Sequence, residues 1–396
     1  MSGARTIWVL PGGRFQVPLI EAAQAMGCRV VCSDRNADCD GSVVADEFVR
    51  LGVDQRDALF AAMKEWRPDG IATDQTDSAV ATTAWLADQL GLPGVGFDCA
   101  LNFTNKRLMR DLFSGHDFPV PEYAMCSDLP SCEAVVEHIG WPLILKPEVG
   151  QSSKGVNRVD EQSGLSAAFE DTFGFGPVIV EQWIDGPEFT VEGWMSGGRH
   201  HSLAVSMKSH YSHRPMVAES LLYTPTHAYF DFPALCAQND QLVEVSELPF
   251  GITHAEYRFA DGKFWLMEIA ARGCGSLVTS HLVPEVSGVQ VYDHYLASVL
   301  GHEVPPVRIR DNPRFAVLEF MGFKPGRIQS IEGLDESRSI SGVLKVAMNY
   351  DSKEYLPLPT DDTNRSGYFI AVADTLDELE LLRGQVRACV QVIYDD

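Results

Sequence analysis

The sequence lacks the basic excess and the long apolar runs that mark several common classes of protein. With 31 Lys and Arg against 55 Asp and Glu, its formal net charge is −24 at pH 7, which argues against a nucleic acid or an anionic membrane as partner. The apolar run in MSGARTIWVLPGGRF is too short for a signal peptide, and no later stretch approaches a membrane span. We therefore expect a cytoplasmic protein.

Paired cysteines and two nucleotide-binding signatures are also missing. The nine cysteines are scattered without repeated pairs at metal-ligand spacing, which favours a reduced protein over a disulfide or zinc framework. The turn PGGRF does not continue as G-x-G-x-x-G, so NAD binding is not favoured although Asp34 follows about twenty positions on. The later turn GQSSKGV lacks the spacing G-x-x-x-x-G-K-[ST].

The composition that remains is that of a globular protein. With 45% apolar and 22% charged residues over 396 positions, the chain is long enough for about two to four domains or subdomains. Residues 5–100 predict an open α/β unit, because buried strands at 6–10, 29–33 and 70–73 alternate with helical segments. Ligands in such sheets bind beyond the carboxyl ends of the strands, so the polar tip 74–77 is either a substrate contact or a helix N-cap.

Segments suited to phosphates begin near residue 102. NKRLMRDLF is a short basic amphipathic helix containing Lys106, and the strand WPLILKP carries Lys146. The turn GQSSKGV can hold phosphate oxygens with its backbone N–H groups and the hydroxyls of Ser152 and Ser153, or it is a plain hairpin turn. In PVIVEQWIDGPE, the end of a buried strand can meet an adenine edge and Glu188 a ribose, unless the segment only starts a β-hairpin.

The stretch 250–275, FGITHAEYRFADGKFWLMEIAARGCG, predicts two strands joined by an Asp-Gly turn. Two pairs define a register that buries one apolar face: Tyr257 with Met267, and Phe259 with Trp265. This register places Glu256 opposite Glu268 and requires a loop of three or five residues. Two adjacent carboxylates suit Mg²⁺ with bound phosphate; the alternative is an ordinary hairpin with two solvated glutamates.

The order of these pieces resembles the ATP-grasp superfamily and, within it, the carboxylate–amine ligases of the L-amino-acid ligase type. The pieces are Lys106, Lys146, GQSSKGV, VEQWIDGPE and HAEYRF…MEIAARGCG, and the resemblance covers nearly the whole chain. It implies a mixed α/β and α+β structure with the ATP-grasp fold. The implied parts are an N-terminal open α/β pre-ATP-grasp domain (1–100), a central two-lobed ATP-grasp domain (101–304, lobes 120–185 and 186–304) and a β-rich C-terminal segment completing the large lobe (305–396).

The resemblance also implies a role for each motif. The residues that would contact or cover the ATP phosphates are Lys106, Lys146, Ser152, Ser153, Gly155 and Val156. Those that would hold adenine and ribose are Glu181, Gln182, Ile184 and Glu188. Glu256 and Glu268 would bind two Mg²⁺ ions, for which Mn²⁺ can substitute, and Arg272 would act with Lys146 by stabilising an acyl phosphate. Ala270 stands where many members have Asn, so the second ion would rely more on Glu268, phosphate oxygens and water.

Specificity is expected in the insertion 206–232. Arg214 is the candidate for a substrate carboxylate, and Tyr211 or Tyr223 for a pocket wall; a metal site at His210-x-x-His213 lacks further ligands and is not favoured. The turn at Gly275 and Ser276 offers backbone N–H groups to the carboxylate being activated. His254 either orients a metal ligand or makes a structural hydrogen bond.

The activity that the resemblance implies is ATP-dependent coupling of a small-molecule carboxylate to an amine, releasing ADP and phosphate. An amino-acid ligase is the favoured version, and a homodimer through the N-terminal domain is expected. One alternative is a biotin-carboxylase-like or purine-pathway enzyme that activates bicarbonate. Another is a non-catalytic nucleotide-binding module, against which the intact charges of Lys146, Glu256, Glu268 and Arg272 argue.

Overall fold

The computed structural model describes residues 4–395, and its N-terminal part is a parallel α/β unit. The elements are β1 (Thr6–Val9), α1 (Val17–Ala25), β2 (Arg29–Ser33), α2 (Asp40–Val44), β3 (Glu47–Val49), α3 (Arg56–Trp66), β4 (Gly70–Ala72) and α4 (Asp77–Leu90). The strands are parallel in the order β3-β2-β1-β4. Ile7 and Val9 pack into one apolar cluster, with α1, and Trp8 into another, with α3 and α4. Both faces of the sheet are therefore covered, as in other parallel sheets.

A small lobe built on a four-stranded antiparallel sheet follows. Helices α5 (Phe97–Asn102) and α6 (Lys106–Ser114) precede it, and Met109 and Phe113 of α6 pack with Phe189 and Tyr257 rather than with the core of this lobe. The elements of the lobe are β5 (Tyr123–Cys126), α7 (Leu129–Ile139), β6 (Leu143–Pro147), β7 (Asn157–Val159), α8 (Leu165–Phe173) and β8 (Val178–Gln182). The strand order is β5-β8-β6-β7. Leu143, Leu145 and Val180 form its core with α7 and α8, which leaves Lys146 on the opposite face because side chains alternate along a strand.

The rest of the chain is organised by a large sheet. The elements are β9 (Glu188–Ser196), β10 (Arg199–Tyr211), β11 (Arg214–Tyr223), α9 (Phe232–Val245), β12 (Phe250–Ala260), β13 (Lys263–Ala270), α10 (Val283–Ser287), α11 (Val291–Val299), β14 (Phe315–Phe320), β15 (Gly326–Glu332), α12 (Leu334–Arg338), β16 (Val343–Met348), β17 (Tyr355–Leu356), β18 (Gly367–Ala373), α13 (Leu376–Cys389) and β19 (Gln391–Tyr394). Eight strands run in the order β13-β12-β9-β10-β11-β14-β18-β16, and β17-β15-β19 form a separate small sheet.

The C-terminal segment continues the large sheet. Strand β14 pairs antiparallel with β11, from Ser220 opposite Glu319 to Tyr223 opposite Ala316, and β18 and β16 extend the sheet from there. We therefore propose the division 1–100, 101–304 and 305–396, with the last part closing the large lobe.

The hairpin of β12 and β13 departs from the predicted register beyond its glutamates. Glu256 lies opposite Glu268 as predicted, but Tyr257 pairs with Leu266, and Ala260 pairs with Lys263 across a two-residue turn. A bulge on β13 at Met267 makes this possible, because one extra residue reverses the alternation of faces. The predicted Tyr257–Met267 and Phe259–Trp265 pairs and the longer loop are wrong. The two glutamates share a face because of this bulge, which the simple alternation of side chains along a strand does not predict.

The helices are short, and side chains begin several of them. Asp128 and Ser131 form a capping box at the start of α7, and Thr375 and Glu378 form another at the start of α13. In the part of the chain that the structure describes, no helix has the length and apolar character needed to traverse a bilayer.

Candidate active site

A cavity of about 440 Å³ lies where the parallel unit, the small lobe and the large sheet meet, within the range of about 300–1,000 Å³ usual for small-ligand sites. Most of the sequence-predicted positions line it. They are Lys106, Lys146, Ser152, Ser153, Val156, Glu181, Gln182, Ile184, Glu188, Glu256, Glu268, Arg272, Gly275 and Ser276. The structure thus brings motifs from the whole central region to one place.

Tyr211 and Arg214 do not reach the cavity. They lie at the tip of the β10–β11 hairpin, beyond register shifts that follow Ser209. The Tyr211 hydroxyl is buried 3.4 Å from the carbonyl oxygen of Phe320, and Arg214 donates to the carbonyl oxygen of Thr360 at 3.2 Å. This geometry does not support their predicted substrate role, which stays a prediction. The hairpin faces the cavity instead through His210, Met216, Ala218 and Leu221.

Tyr223 and Gly155 also lie outside the cavity lining. The fully buried Tyr223 donates its hydroxyl hydrogen to Glu192 at 2.9 Å. Gly155 has φ of +66°, and a Cβ there would lie 2.5 Å from the ring of Phe175. Gly155 therefore shapes the loop 150–156 through its backbone, since another residue would be both strained and overlapped.

Glu181 holds the two cations that flank it. Its carboxylate accepts from Arg110 at 3.0 and 3.2 Å and from Lys146 at 2.8 Å, and both Arg110 and Glu181 are fully buried. Burial alone raises the pKa of Glu181, but Arg110 and Lys146 outweigh it and lower the pKa to about 2. The carboxylate thus positions Lys146 towards the cavity, and only its backbone remains for the predicted adenine contact.

Glu188 lies in a second cluster of charges. Its carboxylate accepts from Lys208 at 2.8 Å and from Arg258 at 3.0 and 3.2 Å. Arg258 also donates to the carbonyl oxygen of Ile184 at 2.9 Å and stacks over Trp183. Burial is outweighed by Lys208, His210 and Arg258, which lower the pKa of Glu188 well below its usual value. The predicted ribose role stays a prediction, with most acceptor sites of this carboxylate already used.

Glu256 and Glu268 face the cavity from opposite positions of the β12–β13 ladder. Lys208 donates to Glu256 at 2.6 Å, and Lys106 lies 3.5 Å from Glu268. Despite burial, Lys208 and His254 lower the pKa of Glu256 below its usual value, so this ligand is ionised. Two partly exposed carboxylates on one wall are the oxygen donors that Mg²⁺ prefers. The residues present therefore fit the metal implied by the sequence.

His254 connects the metal wall to a deeper carboxylate. Its Nδ1 lies 2.9 Å from Glu192, and its Nε2 lies 3.3 Å from Glu256. Burial alone lowers the pKa of His254, but contacts with Cys274 and Glu192 raise it well above the usual value. Potential ligand atoms of Glu192, His254 and Cys274 lie within 4.8 Å of one another. His254 therefore makes structural hydrogen bonds to Glu192 and Glu256, and its role in orienting a metal ligand stays a prediction.

The serine-rich loop covers the cavity and contacts its other walls. Lys106 donates to the carbonyl oxygen of Gly150 at 3.0 Å, and the side chain of Gln151 accepts from the backbone N–H of Asp77 at 2.8 Å. Ser152 and Ser153 have φ of 62° and 58°. Residues 152–155 form a turn, and successive backbone N–H groups in a turn can form an anion-binding concavity, which supports the predicted phosphate contact.

Arg272 bridges the large sheet and the parallel unit. Its guanidinium donates twice to Asp77 at the start of α4, each time at 2.8 Å. Asp74 accepts from the N–H of Gly273 at 2.6 Å, and a Cβ on Gly273 would lie 1.7 Å from Thr279 Oγ1. The polar tip 74–77 therefore holds the turn that begins at Arg272 in place. Only glycine allows this close approach.

The turn after Arg272 stores backbone strain. Ser276 and Leu277 have φ of 58° and 67°, and Gln75, with φ of 59°, accepts from the N–H of Leu277 at 3.0 Å. Left-handed non-glycine residues cluster at functional sites, where the surrounding structure holds them in place. The strain coincides with the turn predicted to bind the carboxylate being activated.

Several lining residues escaped the sequence reasoning. They are Arg14, Asp77 as the partner of Arg272, Lys208, Arg258, Asn349 and Arg365. Lys208 and His210 are two residues apart on β10 and therefore share a face of the strand. This spacing was the signal in the sequence that could have placed them at the site. Arg258 shared the face of Glu256, and Glu192 was a lone carboxylate in the apolar strand FTVEGWM. Asn349 and Arg365 carried no local signal.

Comparisons with known proteins support the fold described above. A model of the ATP-grasp domain matches residues 139–281, and a model of L-amino acid ligase C-terminal domain 2 matches residues 320–395. The structure is similar to L-amino acid ligase from Bacillus licheniformis, with a TM-score of 0.85 and 22% identity over 100% of both chains. It is also similar to phosphoribosylglycinamide synthetase from Anaerococcus prevotii, with a TM-score of 0.79 and 16% identity over 99% and 100% of the chains. The predicted fold is confirmed.

The curated relatives match a smaller part of the chain than the solved structures do. Formate-dependent phosphoribosylglycinamide formyltransferase of Parasynechococcus marenigrum is 30% identical over 187 residues, which are 46% of this chain and 48% of that protein. The chain thus spans about half the length of the first curated relatives it matches.

Proposed function

We propose that this chain, which carries an ATP-grasp domain followed by an L-amino acid ligase C-terminal domain, joins a small-molecule carboxylate to an amine at the expense of ATP. We favour amino acids as the substrates. One observation carries the proposal: Glu256 and Glu268 face each other on the cavity wall together with Lys106, Lys146 and Arg272. That set suits phosphoryl transfer to a carboxylate.

The chemistry needs two displacements. A carboxylate oxygen attacks the γ-phosphorus of ATP and forms an acyl phosphate, while the bond to ADP breaks. The amine nitrogen then attacks the acyl carbon; the C–N bond forms, the C–O bond to phosphate breaks, and phosphate and a proton leave. Neither step needs a protein nucleophile, so positioning and charge neutralisation account for catalysis.

The residues of this chain would share that work. Lys146, held by Glu181, and Lys106, held by Gly150, would bind phosphate oxygens as the loop 150–156 covers them. Arg272, fixed by Asp77, would stabilise the acyl phosphate. When bound by Glu256 and Glu268, Mg²⁺ supplies charge neutralisation to the transferring phosphoryl group. The N–H groups at Gly275 and Ser276 would orient the carboxylate.

The test is release of ADP and phosphate from Mg-ATP across amino acids offered singly and in pairs. We expect release that requires a specific pair, together with the mass of their condensation product. Release with bicarbonate and no amino acid would replace the proposal by a bicarbonate-activating enzyme. ATP binding without release under any condition would favour a binding module. The homodimer stays a prediction, for which light scattering is the measurement.

A further inference from the structure

The ammonium group of Lys208 lies against the wall that carries the predicted metal ligands. Lys208 on β10, Glu188 on β9 and Arg258 on β12 occupy opposed positions of three neighbouring strands, so their side chains share one face of the large sheet. Lys208 Nζ donates to Glu188 at 2.8 Å and, across β9, to Glu256 Oε1 at 2.6 Å. With a side chain only 10% exposed, this lysine is a fixed positive charge on the cavity lining.

Contact with Lys208 leaves Glu256 with one oxygen open to a metal ion. Oε1 accepts from Lys208 and also lies 3.3 Å from Nε2 of His254. In the part of the chain that the structure describes, no hydrogen bond reaches the other oxygen, Oε2. Glu268 is less engaged, since Lys106 lies 3.5 Å from its Oε1 and its side chain is 35% exposed. The wall therefore offers an ion one oxygen of Glu256 and both oxygens of Glu268.

Ala270 removes a donor that two ions would share. This buried residue, two positions beyond Glu268, has a methyl group where many members of the superfamily have an Asn. Mg²⁺ demands an octahedral set of oxygens and keeps several waters, so the open carboxylate oxygens, phosphates and water suffice for one ion. A second divalent ion beside Glu256 would also be repelled by the ammonium of Lys208, which already holds that carboxylate.

We propose that Lys208 takes the place of a second Mg²⁺, so that the site binds one divalent ion instead of the two that the family resemblance implies. The inference rests on the proposed ligase activity and concerns the charges that meet the phosphates. A lysine ammonium is a compact point charge that binds phosphate. Because Glu188 and Glu256 fix it before any ligand arrives, it would neutralise phosphate charge with little reorganisation.

The first measurement counts the ions. Protein with one equivalent of a non-hydrolysable ATP analogue is titrated with Mn²⁺, and free Mn²⁺ is followed by electron paramagnetic resonance. We expect a single Mn²⁺ per chain in the wild type. Lys208→Met nearly keeps the length of the side chain, removes its charge and frees Glu256 Oε1, so this variant should bind a second Mn²⁺. Lys208→Arg keeps the charge and should bind a single Mn²⁺.

The second measurement follows ADP release at fixed ATP while Mg²⁺ is raised. The wild-type rate should reach its plateau when Mg²⁺ matches ATP. At that point Lys208→Met should turn over about 100-fold more slowly, and excess free Mg²⁺ should restore at least about tenfold. Lys263→Met, at an exposed lysine of β13 outside the cavity lining, is the matched control and should behave as wild type in both measurements.

Two Mn²⁺ per wild-type chain would overturn the inference, and so would a single Mn²⁺ in Lys208→Met that is folded by circular dichroism. Hydroxylamine, which traps an acyl phosphate as a hydroxamate, tests the proposed function separately. Absence of hydroxamate from wild-type protein with every carboxylate would overturn the ligase activity, whereas the ion count would still decide whether Lys208 replaces a second ion.

Discussion

The two sides of the cavity differ in how their charges are satisfied. On the predicted nucleotide side, three lysines have a carboxylate neighbour: Lys146 with Glu181, Lys208 with Glu188 and Glu256, and Lys106 with Glu268. On the wall formed by the C-terminal segment, Arg365 Nε and Asn349 Oδ1 are buried without partners in the described chain.

This difference separates two ways of preparing a site. Paired cations are held in place before a ligand arrives, so they meet the phosphates with little reorganisation. Unpaired buried atoms cost about 1–3 kcal/mol each until a ligand or an ordered water supplies the missing hydrogen bond. The first arrangement favours rate, and the second favours discrimination between substrates.

The largest effect is expected at the metal wall. Glu268→Gln removes one of two opposed carboxylates, and turnover should fall by about 1,000-fold or more with the melting temperature nearly unchanged. ADP release and a thermal melt measure the two quantities. Glu303→Gln, at an exposed position, is the control; turnover close to wild type in Glu268→Gln would remove the metal assignment.

A smaller effect, on stability, is expected from Glu181. Glu181→Ala leaves the fully buried Arg110 without its carboxylate, which should cost about 3–5 kcal/mol in urea unfolding. Glu170→Ala, on the exposed side of α8, should cost little. If Glu181→Ala loses no more unfolding free energy than Glu170→Ala, Arg110 has found another partner. The charges on the predicted nucleotide side would then not be held in place before the ligand binds.

The Glu181 pair also predicts a pH dependence. Because the folded-state pKa of Glu181 is lowered from 4.5 to about 2, its contribution is fully present above pH 4.5 and is lost as the pH falls towards about 2. Wild type and Glu181→Gln should therefore converge in unfolding free energy over that interval. Parallel curves would contradict the pairing.

Asp77 tests whether the parallel unit positions Arg272, the predicted catalytic arginine. Asp77→Asn weakens the two-point contact with Arg272, and misplacement of this group should lower kcat about 10- to 100-fold, measured as hydroxamate formation. Asp57→Asn, exposed on α3, is the comparison. If both variants retain wild-type kcat, the contact with Asp77 is not needed to position Arg272.

The smallest effect is expected at Arg214, where the substrate role predicted from the sequence and the position in the structure disagree. Arg214 lies exposed at a hairpin tip and contacts Thr360, so Arg214→Gln should change KM for either substrate by less than about twofold. Initial rates against each substrate give the answer. A large rise in KM confined to Arg214→Gln would restore the original assignment.

The order of the motifs along the chain was enough to predict much of the fold and of the candidate site. Five motifs in order predicted the fold through their resemblance to the ATP-grasp superfamily, and they predicted Lys106 and Lys146 at the cavity and Glu256 opposite Glu268. The hairpin register beyond Glu256 could not be predicted, since a bulge at Met267 interrupts the alternation of side chains on which the predicted register rested.

Only the tertiary structure decided which charges meet. Asp77 and Arg272 come from different units, and Glu181 bonds Arg110 on a helix far earlier in the chain. Asn349 and Arg365 reach the cavity because β14 and β18 join the large sheet. A sequence specifies local conformation through short-range sterics and periodicity, but long-range pairing depends on how the sheets close around the cavity.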